Sequence, residues 1–97
     1  MNIPDFPYPD FRPGTVWLAG AGPGDPMLLT LLTCHGLRQA DVVVYDALVD
    51  DRILALANQN AVLEYAGKRG GRPSIDQVDI SQRLVDLAHE GKRVLRL

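Results

Sequence analysis

The sequence predicts an α/β fold, a mainly parallel sheet with helices on both faces. Short apolar runs alternate with segments of helical periodicity in the order strand, helix, strand, helix, strand, helix, strand, and that alternation needs crossover connections between parallel strands. The run Asp41-Val42-Val43-Val44-Tyr45 is continuous and β-branched rather than alternating, the pattern of a strand covered on both faces. The segments that follow the first three strands are rich in Gly, Asp or basic residues, and the carboxyl ends of strands are where ligands bind on such sheets.

In chain order, residues 1–14 form a proline-rich arm with Pro4, Pro7, Pro9 and Pro13 among acids and aromatics, and residues 15–97 form the α/β domain. Thr15 to Ala19 is apolar and bounded by Pro13-Gly14 and Gly20, which predicts the first strand. Asp25 then sits at an N-cap with Pro26 at the first helical position. Met27, Leu28, Leu31, Leu32, Cys34 and Leu37 continue at mainly helical spacing, predicting one helix to about Gln39 that Gly36 weakens slightly. Met27 reads as a core filler.

Asp41 to Tyr45 is the second strand. Asp50 or Asp51 caps a short helix through Ile53, Leu54, Leu56 and Ala57, and Ala61 to Ala66 makes the third strand, with Glu64 as its one charge. Gly67-Lys68-Arg69-Gly70-Gly71-Arg72-Pro73-Ser74 is a glycine-rich basic loop. Val78, Ile80, Leu84, Val85, Leu87 and Ala88 mark a third helix, stopped by Gly91, and Arg93 to Leu97 opens the fourth strand. That strand runs into the last residue, so the expectation is a piece of a longer chain.

Composition bounds the class. With 97 residues, 46% of them hydrophobic and 23% charged, the chain suits one soluble globular domain with a single modest core. A net charge of −2 supplies no basic field for nucleic acid. Cys34 is the only cysteine, which excludes an internal disulfide or a multi-cysteine zinc site and fits a reducing, cytoplasmic setting. No apolar run approaches the roughly 20 residues of a membrane span. His35 and His89 are expected as surface or boundary residues with no carboxylate spacing that makes a metal pair, and Trp17 and Tyr45 as packing.

The stretch Ala19-Gly20-Ala21-Gly22-Pro23-Gly24-Asp25-Pro26 invites a nucleotide reading, yet it fails both phosphate patterns. From Gly20 and Gly22, the third glycine of G-x-G-x-x-G falls on Asp25, and a carboxylate at a helix N-terminus repels a phosphate while suiting the helix dipole. No G-K-[ST] follows, so a P-loop is excluded as well. The composition suits a ligand without phosphates lying against bare backbone, such as S-adenosylmethionine, whose cationic sulfonium tolerates nearby carboxylates; a tight turn with a good helix cap and no ligand accounts for it equally well.

Read together, the strand-end segments are more specific. Val16-Trp17-Leu18-Ala19-Gly20-Ala21-Gly22-Pro23-Gly24-Asp25-Pro26 with Leu28-Leu29-Thr30-Leu31, then Ala40 to Val49, then Gly67-Lys68-Arg69, then Glu90 to Leu97, closely resemble the start of the uroporphyrinogen-III C-methyltransferases of the tetrapyrrole methylase family. The resemblance runs from about Thr15 to the end. It implies the N-terminal domain of a two-domain enzyme, usually a homodimer, with S-adenosylmethionine between the domains. The implied reaction is two methyl transfers to carbons of uroporphyrinogen III, giving precorrin-2 for sirohaem and cobalamin synthesis.

By the same resemblance, Pro23 corresponds to the family's cofactor contact, flanked by Gly22 and Gly24; Asp46 corresponds to its proton acceptor and Lys68 to its proton donor. The family's next cofactor motif, Gly-Gly-Asp-Pro, would begin just past Leu97. These 97 residues alone are therefore expected to transfer little or no methyl. Cys34-His35-Gly36 and Ser74-Ile75-Asp76-Gln77 depart from the family's usual residues without touching the corresponding positions.

The residue chemistry suits these roles. Once a pyrrole-type carbon has attacked a sulfonium methyl, a ring proton must leave to restore conjugation, and a carboxylate in reach can accept it. Independently of any family, Lys68, Arg69 and Arg72 form a cationic loop able to close over a polycarboxylate substrate, arginine by bidentate forks and lysine as a point charge; a merely solvated basic loop explains Arg69 and Arg72 as well. RNA backbone binding is the rival for that loop, and the net acidity and lack of adjacent aromatics count against it. Two further readings stay open: a methylase of this fold acting on a later corrin intermediate, and a non-catalytic binding module.

Overall fold

The computed structural model describes residues 4–20, 25–66 and 77–97. Its elements are β1 (Thr15–Leu18), a 3-10 turn (Pro26–Leu28), α1 (Leu31–Gln39), β2 (Val42–Tyr45), α2 (Asp51–Leu54), β3 (Val62–Tyr65), α3 (Gln77–His89) and β4 (Arg93–Arg96). All three strand pairings are parallel and the sheet order is β1-β4-β2-β3. The predicted α/β class and alternation are therefore present.

Strand periodicity sorts the core into two faces. Trp17, Val43 and Leu95 point to one side, where Leu37 of α1 and Ile53 and Leu54 of α2 cover them. Val16, Val42, Val44 and Val94 point to the other, where Ile80, Leu84 and Leu87 of α3 cover them. Val43, Val44, Val94 and Leu95 are fully buried, as a continuous apolar run in a parallel sheet requires.

The single helix expected from Asp25 to Gln39 is instead a short turn followed by a separate helix. Asp25 does cap, its Oδ1 accepting from the Met27 N–H at 2.9 Å, but the turn ends at Leu28. Leu29 and Thr30 are extended, and the Thr30 hydroxyl starts α1 by accepting from the Thr33 N–H at 3.1 Å. A second cap residue within reach of a free N–H makes the restart as favourable as continuation. One consequence is that Met27, read from sequence as core, is 88% exposed, and Leu28 is exposed beside it.

Gly36 has a packing role beyond any weakening of the helix. A Cβ there would stand 3.2 Å from the Trp17 ring and 3.3 Å from a Leu95 methyl, so its absence lets α1 sit close on β1 and β4. Gly91 serves the backbone. Its φ of +82° ends α3 in a left-handed cap, with its N–H bonded to Ala88 C=O and Lys92 N–H to Leu87 C=O.

The arm from Pro4 onward packs on the domain. Phe11 is buried and stacks on Trp17 at 4.3 Å between centroids, Tyr8 stacks on His35 at 4.5 Å, and Arg93 Nε donates to the Phe11 carbonyl at 2.7 Å. His35 is thus a boundary residue that seats the arm, and Cys34 is a buried core thiol whose burial pushes its pKa up. Replacing Phe11 with Ala is expected to cost about 3 kcal/mol by urea denaturation, because it empties a buried aromatic site against Trp17. Gly91→Ala is expected to cost about 1 kcal/mol, all of it from the left-handed φ, since a Cβ there would meet nothing within 4 Å.

Candidate functional site

Because every strand pairing is parallel, the carboxyl ends of the strands share one edge of the sheet. The backbone ladder continues past the strands there: Ala19 N–H donates to Arg96 C=O, Leu97 N–H to Val44 C=O, and Ala66 N–H to Tyr45 C=O. Gly20, Asp46 and Arg96 therefore lie along one side. Of the residues assigned to the site from sequence, Asp46 is described; Gly22, Pro23, Gly24, Lys68, Arg69 and Arg72 lie outside the described residues.

Asp46 opens the turn that takes the chain from β2 to α2. Its Oδ1 accepts from Leu48 N–H at 2.9 Å and its carbonyl from Val49 N–H at 3.3 Å, a side-chain turn that returns Val49 to the core and leaves Leu48 exposed. The other oxygen, Oδ2, faces Arg96, whose Nη2 is 3.7 Å away. Asp46 is 36% exposed and Arg96 17%, so the acid meets solvent while its cation is mostly covered. Tyr45 packs across the strands against Tyr65 at 5.5 Å, immediately before Asp46.

Asp50 fixes the far end of the same turn. Its carboxylate accepts from Arg52 N–H at 2.8 Å and from the Arg52 guanidinium at 3.0 and 2.8 Å, capping α2. The Arg52 hydrogen bonds hold the Asp50 carboxyl down at about 2.

An open groove of about 650 Å³ runs along β1 and ends at Gly20, where the glycine loop begins. Its walls are largely apolar, from Val16 and Leu18 to Leu28 and Leu32, with Thr30 and Thr33 supplying hydroxyls. The size suits a small-molecule ligand. Asp25 stands at the other end of that loop with its carboxylate committed to the Met27 N–H. A phosphate beside that cap is repelled by the Asp25 carboxylate, whereas a cationic sulfonium is not, so the described residues fit S-adenosylmethionine better than a nucleotide phosphate. Among the described residues no group of three His, Cys, Asp or Glu side chains is placed to hold a metal ion, and no helix is long and apolar enough to cross a membrane.

Residues 15–97 match the Tetrapyrrole (Corrin/Porphyrin) Methylases. The chain belongs to this family. It is 64% identical over 89 residues to a uroporphyrinogen-III C-methyltransferase of Sinorhizobium sp, a match covering 92% of this chain and 32% of that protein. It is 53% identical to a siroheme synthase of Pseudomonas fluorescens (strain SBW25), over 92% of this chain and 19% of that one. A crystal structure of uroporphyrin-III C-methyl transferase from Thermus thermophilus complexed with S-adenyl homocysteine superposes with a TM-score of 0.66 at 44% identity, covering 84% of this chain and 31% of that chain. The chain thus spans about a third of the Sinorhizobium and Thermus proteins and a fifth of the Pseudomonas one, and its sheet matches the N-terminal portion of the methylase structures.

Sequence reasoning did not single out Arg96. The visible signal was the pattern Arg93-Val94-Leu95-Arg96, which flanks a buried pair with two cations, one at each end of the strand. Arg93 serves the amino end, pairing with Asp41 and the arm, and Arg96 serves the ligand edge.

The sign of the Asp50 perturbation sets a pH window. A carboxyl held lower in the folded state than its ordinary value near 4 contributes stability above that value, and the contribution is lost as pH falls through about 2. A carbon-13 carboxyl titration of the folded chain is expected to place the Asp50 midpoint near 2, and Arg52→Ala is expected to raise it toward about 4.

Proposed function

We propose that this chain is the N-terminal part of an S-adenosylmethionine-dependent C-methyltransferase acting on uroporphyrinogen III, forming precorrin-2 for sirohaem and cobalamin synthesis. The observation that carries the reading is the setting of Asp46: a half-exposed carboxylate held by its own turn at the carboxyl edge of a parallel sheet. The identity to the Sinorhizobium enzyme and the bound S-adenyl homocysteine of the Thermus relative support it.

S-adenosylmethionine, when bound, supplies an electrophilic methyl on a cationic sulfur. In this reading Pro23, with Gly22 and Gly24 beside it in the sequence, is the cofactor contact. Asp46 accepts the proton that the macrocycle loses after the methyl–carbon bond forms and the carbon–sulfur bond breaks: every pyrrole β-carbon already bears a side chain, so the proton leaves from a neighbouring bridge carbon or pyrrole nitrogen, and the electrons of that bond neutralise the cation left in the ring. Lys68 donates a proton on the tetrapyrrole, and Arg69 and Arg72 pair with its carboxylates. The protein works as a homodimer of longer chains, each adding a second domain over the strand edge.

The test is transfer of labelled methyl to enzymatically generated uroporphyrinogen III. It compares the 97-residue chain with a chimaera in which residues 15–97 replace the matching segment of the Sinorhizobium enzyme. Dimethylated product is expected from the chimaera alone. Asp46→Asn in the chimaera is expected to slow transfer about 10²- to 10⁴-fold, the range of a lost proton acceptor, and a rate near that of the parent would remove Asp46 from the mechanism.

A further inference from the structure

Arg52, Arg83, Arg93 and Arg96 each form an ion pair. Three are surface pairs, with arginine side chains 74%, 48% and 36% exposed, of the kind that contributes little by itself. Arg96 differs: at 17% exposure it is the most covered of the four, and it projects from the end of the central strand at the ligand edge. Its Cα is paired with Leu18 on one side and Val44 on the other, so its backbone is fixed by both neighbours. Its Nη1 donates to the Leu97 main-chain oxygen, which anchors one side of the guanidinium, and Nη2 faces Asp46 Oδ2 at 3.7 Å.

The two oxygens of Asp46 are thereby divided. Oδ1 is tied to Leu48 N–H in its own turn, and Oδ2 is drawn toward a cation on another strand. One hydrogen bond alone leaves the carboxylate free to rotate about it. A second attachment from the opposite side defines its plane.

We propose that Arg96 is the positioning residue of Asp46, holding the carboxylate in one orientation at the strand edge so that it meets the departing proton without prior ordering. The inference rests on the reading of Asp46 as the proton acceptor. It gives Arg96 a part in the reaction without contact to the reacting atoms. The charge matters, and so does the fork: a lysine keeps the former and loses the anchor on Leu97 that aims it.

Two readouts test it. In the 97-residue chain, side-chain scalar couplings are expected to show one Asp46 χ1 rotamer, and Arg96→Gln is expected to average it while the circular dichroism and melting temperature of the sheet stay unchanged. Arg96→Lys is expected to give an intermediate population and serves if the glutamine variant does not fold. A single rotamer retained in both variants would overturn the proposal. In the chimaera, Arg96→Gln is expected to lower kcat about tenfold to a hundredfold, the scale of a misplaced catalytic group, with unchanged affinity for S-adenosylhomocysteine. The double variant with Asp46→Asn is expected to be no slower than Asp46→Asn alone, because both remove one function. Multiplying losses would assign Arg96 a separate role and overturn the proposal. If Asp46→Asn left the rate intact, the acceptor role would fall while the coupling measurement still decided whether Arg96 orients Asp46.

Discussion

β4 comes last in the described sequence yet lies inside the sheet, between β1 and β2, and the rest of the structure depends on that insertion. Without it β1 has no strand partner and β2 has only β3. Val94 and Leu95 are fully buried on opposite faces, so one dipeptide closes both halves of the core. Its pairings with β1 join residues nearly the whole domain apart, a closure whose loop entropy must be offset by the burial it achieves. Gly91 caps α3 two residues before β4 begins.

The same strand ties the two ends of the sheet to different tasks. At its amino end Arg93 reaches the Phe11 carbonyl and pairs with Asp41, while Asp41 Oδ2 accepts from Arg93 N–H at 2.8 Å, so the arm, the start of β2 and the start of β4 are closed together. At its carboxyl end Arg96 faces Asp46. Polar groups at the amino end are consumed in holding the fold. At the carboxyl end they stay partly open to solvent, and a parallel sheet puts the ends of all its strands, with their connecting turns, on that one side.

The region after β1 shows local chemistry overriding periodicity. Apolar residues from Met27 to Leu32 are spaced for a helix, but Thr30 offers a cap in their midst and the chain breaks there. The break turns Leu28 and Leu32 toward the groove along β1 rather than into the core. An apolar wall ending at Gly20, with a nearby cap already filled by the Asp25 carboxylate, is a surface suited to an uncharged or cationic ligand, and the tetrapyrrole methylase relationship accords with that chemistry.

The α/β class, the order of the elements, the covered character of Val42 to Val44 and the placing of Asp46 at a strand end are legible in the sequence, because each of these follows from local periodicity and turn chemistry. The sequence also marked Asp25 as a cap and narrowed the cap of α2 to Asp50 or Asp51, of which Asp50 serves, since a cap is a contact between near neighbours in the chain. That β4 lies inside the sheet, that Gly36 makes room for Trp17, that Phe11 belongs to the core and that Arg96 meets Asp46 emerge only from the folded arrangement. Those facts join residues tens of positions apart. Strand order and close approach are set by which faces remain to be buried once every element has formed, a condition on the whole chain that no local window contains.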